Sequence, residues 1–166
     1  MNRILLVCAC LAAACAIVIA DDACLPGYTQ RDPDNNGNCY KVWHTPHWWF
    51  FAEQTCQADG GWLATIRDEI DGHWINGFFI QNRQNCLDWY WIGAVDTVTE
   101  GVWRWGEDGS KVTYTNWAPG EPNNYGDADC VEVDSKTLKW ADNKVVHGAA
   151  LCFICEMRPK GSECTK

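Results

Sequence analysis

Eight cysteines lie beyond the apolar N-terminal run of this chain, and they constrain the fold more than any other feature of the sequence. They are Cys24, Cys39, Cys56, Cys86, Cys130, Cys152, Cys155 and Cys164. An even number of cysteines in a secreted chain indicates a disulfide framework, although their spacing does not decide how they pair. The sequence therefore predicts a disulfide-bonded extracellular protein.

The first 20 residues have the pattern of a secretory signal peptide. Arg3 forms a short basic region, an apolar run extends from Ile4 to Ile19, and Ala20 ends it with a small side chain. An uncleaved membrane anchor is the alternative, but the run is short for a membrane span and meets an acidic pair at Asp21-Asp22. We expect residues 1–20 to be removed and the protein to be secreted.

Residues 21–166 have a length typical of one domain, and we place its core at about residues 24–157, followed by a short C-terminal tail. Without the leader, 12 basic residues stand against 22 acidic ones, a net charge of −10. This acidity argues against nucleic acid and anionic membranes as partners.

Two helices are predicted in the first half of the domain. From Trp49 to Asp59, apolar residues recur at helical spacing, and Gly60-Gly61 is typical of a helix C-terminus. A second helix is predicted from Asp68 to about Gln81. Its buried face is predicted to comprise Ile70, Trp74 and Phe78.

The second half of the domain has short runs of aromatic and β-branched residues that predict strands. These runs are Trp89 to Ala94, Val102 to Trp105, Cys130 to Val133 and Leu151 to Met157. A polar, turn-rich loop, Gly106 to Asp129, lies among them. Helices followed by strands in one small chain indicate an α+β fold.

The long loop carries oxygen-bearing side chains around one proline, in Glu121-Pro122-Asn123, and Asp142 follows beyond Cys130. Calcium takes six to eight oxygen ligands in proteins, and its spare positions can be filled by hydroxyl pairs of a sugar. The sequence therefore indicates a calcium site that binds a glycan. No serine or cysteine in the domain lies in a recognised nucleophile motif, so we expect no enzyme activity.

Ten sequence pieces, taken in order, resemble the C-type lectin domain family over most of the domain. They are Cys24-Leu-Pro-Gly-Tyr28, Cys39-Tyr40, Trp49-x-x-Ala52-x-x-x-Cys56, Gly61-Trp-Leu-Ala-Thr-Ile66, Trp91-Ile92-Gly93, Glu100-Gly101-x-Trp103-x-Trp105, Asn116-Trp117, Glu121-Pro122-Asn123, Asp129-Cys130 and Phe153-Ile154-Cys155-Glu156. The resemblance implies a double-loop fold in which two helices flank small antiparallel sheets.

The resemblance also implies the disulfides Cys24–Cys39 and Cys56–Cys155. In the family, Cys130 pairs with a cysteine that follows the tryptophan motif. Here the nearest is Cys152, which would leave Cys86 with Cys164. Spacing alone does not decide the pairing of these last four cysteines.

A sugar-coordinating calcium is implied by matches at Glu121, Asn123 and Asp142, with Pro122 in the cis form. Two further family ligands are replaced by Ala128 and Ala141, which have no side-chain oxygen. Asp127 and Asn143, each shifted by one position, are the substitutes that we predict.

Tyr125 is predicted to stack on the sugar. An auxiliary calcium is implied at Asp96, Glu100, Asn124 and Asp129, again without the ligand that Ala128 replaces. Glu-Pro-Asn resembles the mannose-type motif of the family, whereas galactose-type members have Gln-Pro-Asp.

We predict a secreted, calcium-dependent lectin for mannose, fucose or N-acetylglucosamine, which acts in recognition of pathogens or symbionts. Because one weak site rarely retains a multivalent surface, we also expect a homo-oligomer. The alternative is a calcium-independent interaction protein of the same fold, which binds a protein or another surface through the long loop. The two alanines favour this alternative.

Overall fold

The computed structural model describes residues 23–35 and 37–162. This part of the chain contains two α-helices, α1 at Trp49–Ala58 and α2 at Glu69–Asn82, and a short 3-10 helix at Pro33–Asn35. Neither α-helix here is long and apolar enough to span a bilayer. The predicted signal peptide, residues 1–20, lies outside the described residues.

Eight strands accompany the helices in the described residues. In chain order, they are β1 Thr29–Gln30, β2 Cys39–His47, β3 Trp62–Leu63, β4 Trp89–Val95, β5 Arg104–Trp105, β6 Cys130–Asp134, β7 Trp140–Asn143 and β8 Leu151–Met157.

The strands of this part of the chain join in one mixed sheet, whose main path is β1-β2-β8-β4-β6-β7. Strand β3 pairs with β8, and β5 pairs with β4. The β4–β8 pair is parallel, whereas the other strand pairs are antiparallel. The α+β class is thus confirmed, with one continuous sheet in place of separate small ones.

Strands β4 and β8 are buried on both faces, because their alternating side chains enter two different cores. Tyr90 and Ile154 belong to a core that includes residues of α2. Trp91 and Phe153 belong to a second core, which includes residues of α1. Burial on both faces explains why β8 is almost continuously apolar.

Helix α1 agrees closely with the sequence prediction. Trp49, Ala52 and Cys56 are buried on one face, as expected. Gly60 has a φ of +79°, and its N–H donates to the carbonyl of Gln57. A left-handed residue with such a bond is typical of a helix C-terminus, and glycine adopts it without steric cost.

Helix α2 has the predicted position but a different buried face. Its innermost apolar residues are Ile75 and Phe79, whereas Ile70 is 72% exposed. Trp74 and Phe78 lie at the edge of the core and stack on each other with ring centroids 5.3 Å apart. The predicted face was wrong at Ile70 and correct in part at Trp74 and Phe78, which pack against the core without being fully buried. Helix α2 carries adjacent apolar stripes, and periodicity does not choose between them.

Three disulfides are present in the described residues, and each lies within one of the two cores. Cys24–Cys39 and Cys56–Cys155 are present, as the resemblance implied. The third is Cys86–Cys152. This bond overturns both of the expected pairings, Cys130 with Cys152 and Cys86 with Cys164.

The sheet explains the correction. Cys152 belongs to the core on the α2 side, where Cys86 also packs, whereas Cys130 belongs to the core on the α1 side. Side chains on opposite faces of a sheet cannot bond. Among the described cysteines, Cys130 is the free thiol; it is buried, and its Sγ donates to the carbonyl oxygen of Asn143 at 3.0 Å.

Glu156 of β8 joins distant parts of the fold through one buried carboxylate. Its Oε1 accepts from Asn38 Nδ2 at 2.7 Å and from the Tyr40 hydroxyl at 2.9 Å. Its Oε2 accepts from the Thr65 backbone N–H at 2.8 Å and from the Thr65 hydroxyl at 3.0 Å. The carboxylate is therefore fully used as an acceptor, which offsets the cost of burying it.

We expect Glu156→Gln to lower the free energy of unfolding by about 2–4 kcal/mol. The substitution replaces one acceptor oxygen by an amide nitrogen, which is itself a donor and would face the two donors that this oxygen binds. Urea unfolding followed by circular dichroism measures this loss. Glu69→Gln is the control, since the Glu69 side chain is 79% exposed, and it should change the free energy by less than about 1 kcal/mol. Equal effects of the two substitutions would contradict the role of Glu156.

Candidate functional site

The long loop, residues 106–129, is fixed to the sheet at the start of β7. The Trp140 N–H donates to the carbonyl of Asn116 at 2.9 Å, and the Ala118 N–H donates to the carbonyl of Trp140 at 2.8 Å. The Trp117 and Trp140 rings meet edge to face with centroids 5.6 Å apart. The segment that follows Ala118 is thereby held beside β7.

Glu121 and Asn123 lie next to each other on either side of a cis Glu121–Pro122 peptide bond, the form that the resemblance implied. The Asn123 side-chain amide donates to both carboxyl oxygens of Glu121, at 2.8 and 2.9 Å. The amide nitrogen of Asn123 therefore faces the Glu121 carboxylate, and the two side chains lie together at one point of the loop.

Asp142 of β7 holds this part of the loop through hydrogen bonds to its backbone. One of its carboxyl oxygens accepts from the Asn123 N–H at 3.0 Å, and the other accepts from the Asn124 N–H at 2.6 Å. Strand β7 is itself held by its pairing with β6, in which Val131 lies opposite Asp142. The loop is thus connected to the sheet by a carboxylate that is also a predicted ligand.

The carboxyl groups of Glu121 and Asp142 lie close to each other. A hydrogen bond with Asp142 raises the pKa of Glu121, and partial burial and the charge of Asp142 raise it further. Two neighbouring carboxylates repel each other unless a proton or a cation lies between them. Their proximity therefore marks a place where a positive charge is favoured.

Asn143 is committed to bonds within the protein. Its amide nitrogen donates to Glu132 Oε2 at 2.9 Å, and its amide oxygen accepts from the Lys144 N–H at 2.7 Å. Its side chain is therefore poorly placed to replace a missing cation ligand.

Glu132 is a member of the site that the sequence prediction missed. It lies in β6 directly opposite Ala141 of β7. Burial raises its pKa to about 7, the bond from Asn143 opposes this rise, and the charges of Glu121 and Asp142 add to it. The sequence signal that could have identified Glu132 is its position between Val131 and Val133, because alternate residues of a strand point to opposite faces.

Tyr125 lies at the tip of the same loop and is 84% exposed. Its backbone N–H donates to the Asn123 amide oxygen at 2.8 Å, which fixes the backbone while the ring stays in solvent. An exposed ring beside polar groups offers an apolar surface to a ligand.

A second acidic cluster lies between the end of the loop and the turn after β4. Glu100, Asp127 and Asp129 each place a carboxyl oxygen within 4.8 Å of the others. Glu100 comes from the turn after β4, whereas the two aspartates immediately precede β6. Burial raises the pKa of Asp129, and the charges of Asp127 and Asp96 add to this effect.

Asp96 lies at the buried edge of this cluster and is only 3% exposed. Its Oδ2 accepts from the Gly101 N–H at 2.8 Å, but its Oδ1 is buried and has no hydrogen-bond partner among the described residues. Its pKa is raised by burial first, with a contribution from the charge of Glu100. A buried oxygen of this kind is uncommon and calls for a donor or a cation.

The structure distributes the remaining predicted ligands differently from the sequence expectation. Asp127, expected beside Glu121, lies with Glu100 and Asp129. Asn124, expected in the auxiliary site, uses its amide oxygen to accept from the Ala128 N–H at 2.9 Å. Ala128 is 2% exposed, so its Cβ faces the interior.

The donors in both groups are carboxylate and amide oxygens, the chemistry that calcium prefers. The second cluster fits a cation well, because it combines three close carboxylates with the orphaned Asp96 oxygen. The Glu121 group fits in part, since Ala141 offers no side-chain oxygen there.

Known proteins share this arrangement of helices and strands. The sequence profile of the Lectin C-type domain matches residues 45–157. C-type lectin lectoxin-Lio1 of Erythrolamprus poecilogyrus is 36% identical over 151 residues, which cover 88% of this chain and 87% of that protein.

Two solved structures bear on the site. The mouse scavenger receptor C-type lectin carbohydrate-recognition domain superposes with a TM-score of 0.69 at 25% identity, and the match covers 84% of this chain and 100% of that one. A calcium-independent type II antifreeze protein superposes with a TM-score of 0.67 at 25% identity, over 85% of this chain and 98% of that one. The same scaffold thus occurs in proteins with different named ligands.

We expect Asp142→Ala to speed amide hydrogen exchange at Asn123 and Asn124 by roughly 10- to 100-fold, because each N–H loses a bond to a charged acceptor. Exchange measured by NMR tests this expectation. Glu121→Ala is the matched control, since it leaves both backbone bonds in place. Unchanged exchange in Asp142→Ala would show that Asp142 does not hold the loop.

Proposed function

Because the chain belongs to the C-type lectin domain family, we propose that it is a secreted, calcium-dependent lectin for mannose-type glycans. Mannose, fucose and N-acetylglucosamine form this class. The observation that carries the proposal is the group formed by Glu121, Asn123 and Asp142, which are joined by direct hydrogen bonds at the exposed end of the loop. The function is recognition without catalysis.

Glu121, Asn123 and Asp142 are the residues that would hold the cation. Bound calcium would neutralise the two neighbouring carboxyl groups and offer its spare positions to two sugar hydroxyls. The chain itself contributes the remaining recognition, since Asn123 and Glu121 present an amide and a carboxylate that can bond the same hydroxyls. Tyr125 supplies an apolar surface beside them.

The affinity of such a site for one sugar is low, because Ala128 and Ala141 remove two groups that would coordinate the cation and bond the ligand. Each missing bond to a charged or amide group costs about 1–3 kcal/mol. We therefore propose that the protein acts as a homo-oligomer, in which several weak sites bind one microbial or symbiont surface together.

A calcium-independent interaction protein is the second candidate function. It is favoured by the same two alanines and by the Asn143 amide, whose nitrogen and oxygen already bond Glu132 and Lys144. The similarity to a calcium-independent antifreeze protein supports the view that this scaffold can present its loop without a cation. In this case a protein or another surface would bind the loop directly.

Retention on immobilised mannan distinguishes the two functions. For the lectin, we expect retention in calcium, release by EDTA, and displacement by free mannose but not by galactose. Glu121→Gln should weaken retention at least about tenfold, since it removes a charged ligand. Asp34→Asn makes the same change of charge at an exposed residue of the 3-10 helix and should have no effect.

Two results would contradict the lectin proposal. Retention that persists in EDTA would show that calcium is not needed. A complete lack of retention, by a protein whose circular dichroism shows a folded state, would favour the interaction protein.

We expect Ala141→Asn to tighten mannan binding by roughly tenfold, because an amide oxygen would be restored at a position where the family has a ligand. Ala141 is partly exposed and lies opposite Glu132, so that the new amide has polar neighbours. Ala58→Asn, at the exposed last residue of α1, is the control. Dissociation constants measured on glycan arrays in a calcium-containing buffer quantify the gain. Unchanged constants would contradict a cation at this group.

A further inference from the structure

We propose that a cavity between α2 and the β6–β7 hairpin binds a free amino acid with an apolar side chain. Among the described residues that line this cavity, none is a candidate cation ligand. The proposal therefore requires neither calcium nor a glycan.

The cavity has a volume of about 250 Å³. Pockets that hold drug-sized ligands measure about 300–1,000 Å³, so this one suits a smaller molecule. Its walls come from three parts of the fold: the first two turns of α2, the β6–β7 hairpin and the long loop.

The inner wall of the cavity is formed by side chains of the core. Tyr90, Val133 and Trp140 line it, and each is at most 1% exposed. The Tyr114 ring meets the Trp140 ring edge to face, with centroids 5.9 Å apart. A surface of this kind favours an apolar or aromatic group, because such a group gains by leaving water.

Two side chains of opposite charge line different walls of the cavity. On the hairpin, Lys139 Nζ donates to Asn116 Oδ1 at 2.6 Å, and it forms no ion pair with another described residue. On α2, the nearest cationic group to Glu69 is His73 at 3.9 Å, which carries a charge only when it is protonated. A zwitterion would supply a countercharge to both Lys139 and Glu69.

Tyr114 adds a hydrogen-bonding group to the cavity wall. No described residue forms a hydrogen bond with its hydroxyl. Burial raises the pKa of Tyr114, and the charges of Glu69 and Asp68 add to this rise, so the hydroxyl keeps its proton and can donate it to a carboxylate. Apolar walls with a few polar groups are typical of small-molecule sites.

Gly72 keeps the α2 wall open. A Cβ at this position would lie 3.5 Å from Ile66 Cγ2 and 3.9 Å from the Tyr114 hydroxyl oxygen, which are ordinary contacts. Both neighbours line the cavity. A longer side chain at residue 72 would therefore extend into the cavity and fill it.

Titration of L-phenylalanine into the isotope-labelled protein, followed by NMR, tests the proposal. We expect saturable shifts of the Asn116, Lys139 and Trp140 amide signals, in calcium and in EDTA alike. N-acetyl-L-phenylalanine lacks the ammonium group and L-phenylalaninamide lacks the carboxylate, so each should bind at least about tenfold more weakly.

Two pairs of variants locate the ligand. Gly72→Leu should abolish the shifts, whereas Gly77→Leu makes the same change in α2 outside the cavity, where a Cβ meets nothing within 4 Å, and should leave them unchanged. Lys139→Met should weaken binding at least about tenfold, and Lys111→Met, at an exposed residue outside the cavity, should not. If Gly72→Leu does not fold, then the Lys139 pair supplies the test.

Shifts that are lost in Gly72→Leu and weakened in Lys139→Met would support the proposal. The absence of saturable shifts in the wild type, or their persistence in a folded Gly72→Leu, would overturn it. Binding of both modified ligands as tightly as L-phenylalanine would also overturn it, because the ligand would not be recognised as a zwitterion. None of these outcomes depends on mannan retention, so this proposal and the lectin proposal can fail separately.

Discussion

The parallel pairing of β4 with β8 is the constraint on which the rest of the structure depends. It places Tyr90 opposite Cys152 and Trp91 opposite Phe153, and so assigns alternate residues of both strands to the α2 side or the α1 side. Strand β6 pairs with β4, and β7 pairs with β6, so the position of Asp142 follows from the same register. Because a shift of one residue would exchange the two faces, both cores depend on this pairing.

Much of this framework could be predicted from the sequence, because local signals agreed with the tertiary structure. Gly60-Gly61 ended α1 at the expected place, and β8 coincides with the predicted run Leu151 to Met157. The nine-residue strand β2, Cys39–His47, was not predicted. Its second half contains Pro46 and a register shift between Trp43 and His47, which disrupt the alternation that normally marks a strand.

The errors arise where the outcome depends on distant contacts. Cys152 and Cys130 are close enough in sequence to suggest a bond, but only the sheet shows that they lie on opposite faces. At the candidate site, the sequence predicted that Glu121, Asn123 and Asp142 act together, and the structure brings these three residues together. The sequence did not show that Asp127 turns towards Glu100, because this depends on two consecutive left-handed residues, nor that Glu132 would lie near Glu121 and Asp142 across the β6–β7 pair.

The two acidic groups are connected through the short segment from Glu121 to Asp129. Asp142 holds the backbone at Asn123 and Asn124, and the Asn124 side chain in turn accepts from the Ala128 N–H. A charge placed on either group therefore acts on a backbone that both groups share. If both groups bind a cation more tightly when the loop is ordered, then binding at either group raises the affinity of the other by the same factor, because such coupling is reciprocal.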